Sequence, residues 1–261
     1  MSEIDPKFSA AAGLCFVVFS FFLRSSGLSL LGVVNIHNDL FKKALISTAG
    51  MQTFEALSSV LLSYASVFLA LFFLVAGLAL IVFYSSEKDD DSPMAAALAG
   101  SLSVFLFLGL SLMSVFLSAA LIASSYVAAK QSSIYFSELK KWRFFRTGSR
   151  ATGNALFAFN LVIAAGILVA VAAASSLYSA AFLADLEKTM SEIVANDNPA
   201  LRGSVESRIS EVVRNSSIIE AYLRWLPVLV AVEVWIILEF MRMFLSNIGG
   251  ALTHFLFSRN A

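Results

Sequence analysis

Four ionisable residues stand inside long apolar runs, where their chemistry is most constrained: Arg24, Glu233, Glu239 and Arg242. A lone charge near the middle of a bilayer costs about 2.5–3.5 kcal/mol on insertion scales, so such a group turns inward, finds a counter-ion, or lines a path for ions or protons. Arg24 and Glu233 fall at similar depths in the first and last apolar runs, within about one helical turn of each other. That predicts an interhelical ion pair between Arg24 and Glu233. Two competing readings are an Arg24 that ends a shorter first span and snorkels to the interface, and a Glu233 that serves a water-filled pathway. Glu239 and Arg242, three apart, can pair along one helix face as local support.

A second group is basic and aromatic. Lys140, Lys141, Trp142, Arg143 and Arg146 are interleaved with Tyr135, Phe136, Phe144 and Phe145. Rings of this kind settle at the headgroup level, and basic side chains are drawn to anionic lipid. The expectation is an interfacial anchor that sets topology, with a regulatory lipid or partner site as the sharper alternative.

Little else suggests chemistry. His37 and Asp39 could share a metal, but two ligands with no third nearby do not make a site. Cys15 lies in an apolar run and reads as a small hydrophobe. The chain has two histidines and one cysteine, and it has no glycine-rich phosphate loop. The reading is therefore a protein that is not an enzyme, with no metal and no cofactor.

The elements that must carry these residues follow from composition. Of 261 residues 59% are hydrophobic and 14% charged, and the mean hydropathy is +0.82. A soluble domain is about 45–50% apolar and about 25% charged, so this chain has more apolar surface than it can hide from water. Five runs are long enough to cross a bilayer as helices: about 8–34, 56–84, 94–129, 154–183 and 225–248. They are solidly apolar rather than alternating, which excludes barrel strands. The fold class is all-α, a polytopic membrane bundle in a single domain. A small outer helical hairpin is expected over about 185–224, broken at Asp197-Asn198-Pro199, with Asn198 suited to cap the next helix and Pro199 to start it.

Orientation is read from short loops. Residues 130–150 hold six basic residues against Glu138, which puts that loop in the cytoplasm, while the acidic stretch 85–91 suits the outer face. Alternation over five spans then places the N-terminus outside and the C-terminus inside. The acidic Glu3 and Asp5 argue for a retained first helix rather than a cleaved signal.

Net charge is zero, which gives no pull toward nucleic acid. The expected partners are membrane lipid and other membrane-protein subunits or further copies of the chain. Two functions fit: a non-catalytic scaffold, assembly factor or accessory subunit, and a small channel or transporter working through Glu233 and Arg24.

Overall fold

The computed structural model of the protein describes residues 7–27, 29–46, 65–86, 92–139, 141–197 and 202–260. These residues are almost wholly helical: α1 Lys7–Ser25, α2 Leu30–Ile46, α3 Ala65–Ser85, α4 Ser92–Leu108, α5 Leu112–Glu138, α6 Arg143–Ala173, α7 Ser175–Asp197, α8 Arg202–Arg214 and α9 Ser217–Asn260. Four helices are long and apolar enough to cross a membrane. They are α1, residues Ser66–Ser85 of α3, α5 and α6, and the shorter apolar stretch Pro93–Leu108 lies in α4. The protein is a multi-pass helical membrane bundle.

Two compact units divide the chain. The first comprises Met1–Leu28, Gln52–Gly166 and Glu233–Ala261; the second comprises Ser29–Met51 and Ile167–Val232.

In the first unit Phe16 of α1 is fully buried between α3 and α4. A Cβ at Gly77 would lie 2.6 Å from its ring, and a Cβ at Gly100 would lie 2.6 Å from its own Cβ. Between helices that face lipid, such close approach replaces the hydrophobic driving force. Serines tie the same helices together: Ser20 and Ser103 hydroxyls lie 2.9 Å apart, and Ser101 and Ser118 each donate to the other's carbonyl oxygen at 3.2 and 3.3 Å. On α6 and α9, a Cβ at Gly148 would fall 2.5 Å from Thr253 Cβ, and one at Gly249 would fall 2.7 Å from Thr152 Cγ2.

Outward faces stay apolar. Leu98, Leu102, Leu106 and Leu110 recur every fourth residue and end on Leu110, which is 91% exposed. In water such a stripe would be a liability; in acyl chains it is the solvated surface.

The second unit is built differently. Tyr222 of α9 is buried and stacks on Phe41 of α2 with centroids 3.6 Å apart, while Phe182 of α7 lies 5.2 Å away. In the stretch where a hairpin is expected, α7 and α8 form a packed pair. Its helices are joined by Glu187, whose Oε1 accepts from Ser210 Oγ at 3.1 Å and from Arg214 Nε at 3.0 Å. The expected break at Asn198-Pro199 lies outside the described residues.

The span boundaries differ from expectation in instructive ways. The first run stops at Ser25 rather than continuing to Val34. Gly27 turns the chain at φ +65°, and α2 begins three residues later. The run 94–129 is not one span but two helices. Gly109, at φ +75°, ends α4, and Ser111 caps α5 by accepting from Ser114 N at 3.1 Å. The run 154–183 is divided at Ala174 between α6 and α7, and α6 begins earlier, at Arg143. The run 225–248 lies inside the 44-residue α9, which also contains Pro227. With Glu233, Glu239 and Arg242 along it, α9 is not among the four helices apolar enough to cross by composition. For the run 56–84, residues 56–64 lie outside the described residues.

Splitting the third run changes the parity of the chain. Phe8 packs on Phe83 (5.0 Å) and Phe83 on Phe257 (4.7 Å), and Phe257 also stacks on Phe136 (5.4 Å) and Phe144 (4.4 Å). The start of α1, the end of α3, the end of α5, the start of α6 and the end of α9 thus meet at one end of the first unit. The acidic residues of the stretch 87–91 lie outside the described residues.

Candidate functional site

The polar centre of the first unit forms where α6 meets α9. Asn160 is an amide inside the apolar run of α6 and is 3% exposed. Its Nδ2 donates to Glu239 Oε1 at 2.8 Å, and Arg242 Nε donates to Glu239 Oε2 at 2.7 Å. The guanidinium of Arg242 also lies 5.6 Å from the centre of the Phe157 ring. Helical spacing explains the pairing: residues three apart project on one face, and the shorter acidic side chain sits N-terminal to the longer basic one. The carboxylate receives one donor on each oxygen, and the Glu239–Arg242 couple is neutral overall. That arrangement tolerates a low-dielectric setting that an isolated charge would not.

Glu233 lies on α9 six residues before Glu239, half-buried and engaged within the fold. Arg24 is exposed in the last turn of α1. The hydroxyls that follow it turn back on the helix, Ser25 onto the Phe21 carbonyl oxygen at 2.9 Å and Ser26 onto that of Leu23 at 2.6 Å. Among the described residues no ion pair includes Arg24, so the expected Arg24–Glu233 pair is not formed. Arg24 instead closes a shorter first helix, with its guanidinium directed outward. The expected Glu239–Arg242 pair is formed, and Asn160 is the member that sequence reasoning missed. An amide inside an apolar run was the signal that could have found it.

At the aromatic end of the first unit the chain turns from α5 into α6. Trp142 adopts φ +53° and is 79% exposed. The guanidinium of Arg143 lies 3.6 Å from the Phe136 ring centre, and its Nε donates to the Phe136 carbonyl oxygen. Arg150 lies 5.8 Å from the Tyr135 ring, and Tyr135 Oη accepts from Asn154 Nδ2 at 2.9 Å. Lys141 and Arg146 are exposed, and Lys140 lies outside the described residues.

The second unit holds its own polar cluster. Tyr222 Oη donates to Asn38 Oδ1 at 2.7 Å, and His37 stacks on the same ring at 5.8 Å. Lys42 bonds Asp185 of α7 and, at 3.1 Å, Asp39 of its own helix. Burial by itself would push the Lys42 ammonium down, but its hydrogen bonds to Asp185 and Asp39 outweigh this and raise it above the ordinary lysine range. An open groove of about 440 Å³ is lined by Ser175, Ser176, Ser179, Glu220, Arg224 and Pro227, among others. His37 thus packs on the Tyr222 ring, while Asp39 is exposed and pairs with Lys42.

No protein-family model matches this chain, and no curated protein or solved structure shows significant similarity to it.

Proposed function

We propose that the chain is a non-catalytic membrane component, a scaffold or accessory subunit of a larger membrane assembly. The observation that carries this reading is Glu239. The carboxylate most deeply committed to the apolar helices spends one oxygen on Asn160 and the other on Arg242. A carboxylate held in this way, with its charge answered by Arg242 on its own helix, joins helices rather than waiting on a mobile ion. The hydroxyls of Ser20, Ser103, Ser101 and Ser118 are likewise used between helices. The basic turn, by the excess of lysine and arginine in short cytoplasmic segments, faces the cytoplasm.

Purification from native membranes in mild detergent, followed by mass analysis, tests the role. A companion present in fixed stoichiometry supports it. Purified protein in liposomes that carries an ion- or proton-dependent flux, abolished in Glu239→Gln or Glu233→Gln, overturns it in favour of a channel or transporter.

A further inference from the structure

We infer that the α5–α6 turn is a docking surface for anionic lipid headgroups, built from Lys141, Trp142, Arg143 and Arg146. This rests on the membrane-spanning reading and not on the scaffold role.

Three observations carry it. The first is strain. A non-glycine residue at φ +53° is uncommon, and for a bulky side chain it is a genuine outlier that surrounding structure must hold in place. At Trp142 the strain does not serve burial, because the indole is left 79% exposed. A large ring kept outward at energetic cost needs a solvent that suits it. The headgroup region is such a solvent, taking the apolar ring and the polar N–H together.

The second is preorganisation. Arg143 is fixed twice on Phe136, through ring stacking at 3.6 Å and through Nε to the carbonyl oxygen. With Nε occupied, the two terminal nitrogens of the guanidinium remain to meet an oxyanion, and the side chain has already lost most of its rotamer freedom. Phe136 is itself seated against Phe257 and Phe144. The arginine therefore stands on a rigid floor.

The third is charge. Lys141, Trp142, Arg143 and Arg146 are all exposed, and among the described residues none of these three cations forms an ion pair. A cationic, ring-bearing surface at the end of a helical bundle is complementary to a leaflet rich in phosphate-bearing anionic lipid.

The chain has three tryptophans. Replacing Trp225 and Trp235 by phenylalanine leaves Trp142 as the sole emitter in the full-length protein. This variant is placed in nanodiscs of mixed phosphatidylglycerol and phosphatidylcholine, with either one or the other brominated. Brominated phosphatidylglycerol is expected to quench Trp142 beyond its mole fraction, by about five-fold at low salt. That excess should fall toward parity in Lys141→Gln/Arg143→Gln/Arg146→Gln and, in the parent, as salt is raised to 0.5 M. Equal quenching by the two lipids overturns the proposal, since the turn's charge is then answered within the protein. Absence of quenching by either lipid overturns it as well, because the turn is then not at the headgroups. The salt series needs no charge variant, so it decides the matter even if the triple variant fails to fold.

Discussion

The two units of this chain solve the same problem, holding helices together, with different materials. The first uses small residues, hydroxyls and one neutralised charge couple. Gly100 and Gly148 admit Phe16 and Thr253, serine answers serine, and Glu239 is shared between α6 and α9. The second uses a stack of rings around Tyr222 and ion pairs across helices, Lys42 to Asp185 and Arg214 to Glu187. The contrast follows composition, since the first unit holds the strongly apolar α1, α3 and α5 and the second the more charged α2, α7 and α8. Where acyl chains surround a helix, burying another leucine gains nothing, and close packing and directed hydrogen bonds must hold the contact. Where water surrounds it, aromatic burial is the driving force and ion pairs can occupy the rim.

Substitutions should break this contrast unequally. The largest effect is expected from Glu239→Ala, which strands the Arg242 guanidinium and the Asn160 amide among apolar helices. It should destabilise the protein by about 3 kcal/mol, the lower end for breaking a buried pair. Glu239→Ala/Arg242→Met should recover part of that loss. Thermal unfolding in detergent measures both, and equal melting of single and double variants would show that the two side chains do not act as a couple. Next in size is Gly148→Ala, whose new methyl meets Thr253 Cβ at 2.5 Å. About 2 kcal/mol is expected, in the range for overpacking, with relief from Thr253→Ala. A Gly148→Ala protein as stable as its parent would mean that α6 and α9 do not approach so closely.

These two predictions also mark what could be read in advance. The Glu239–Arg242 pair was legible from three-residue spacing, and the membrane class from bulk composition. The break at Gly109 was not. Glycine is common inside spanning helices, and Leu108-Gly109-Leu110 offers no charge or proline to mark an end. Missing that turn makes one helix of a run that folds as two, α4 and α5. The stop at Ser25 was half legible, since Arg24-Ser25-Ser26 already looked like an interface. The Arg24–Glu233 pairing rested on matched depth alone, and depth does not say which way a side chain points.

The second unit should respond more gently. Tyr222→Phe removes the donor to Asn38 and leaves a buried acceptor unanswered, at about 1–2 kcal/mol. Hydrogen exchange in α2 should rise with it, and unaltered exchange there would separate Tyr222 from that helix. Smallest is the Lys42 couple, which stands partly in water and is expected to contribute no more than about 1 kcal/mol. Its pH signature has a definite sign. The ammonium is raised in the folded state, so its contribution is whole below the ordinary lysine pKa and is lost as pH climbs through the raised one. Lys42→Met should therefore melt below the parent at pH 8, and the gap should close in strong base. A gap that widens in base would contradict the couple.

The turn at Gly109 has a consequence for how the protein enters its membrane. At about 1.5 Å per residue the 17 residues of α4 reach about 25 Å, less than the roughly 30 Å of a hydrocarbon core. Its apex is leucine on both sides of a glycine, with no group that gains from reaching the far aqueous phase. Such a segment has little reason to thread through alone and stop. It is suited to wait for α5 and go in as a folded pair, so the order in which the ribosome delivers these helices becomes part of the architecture.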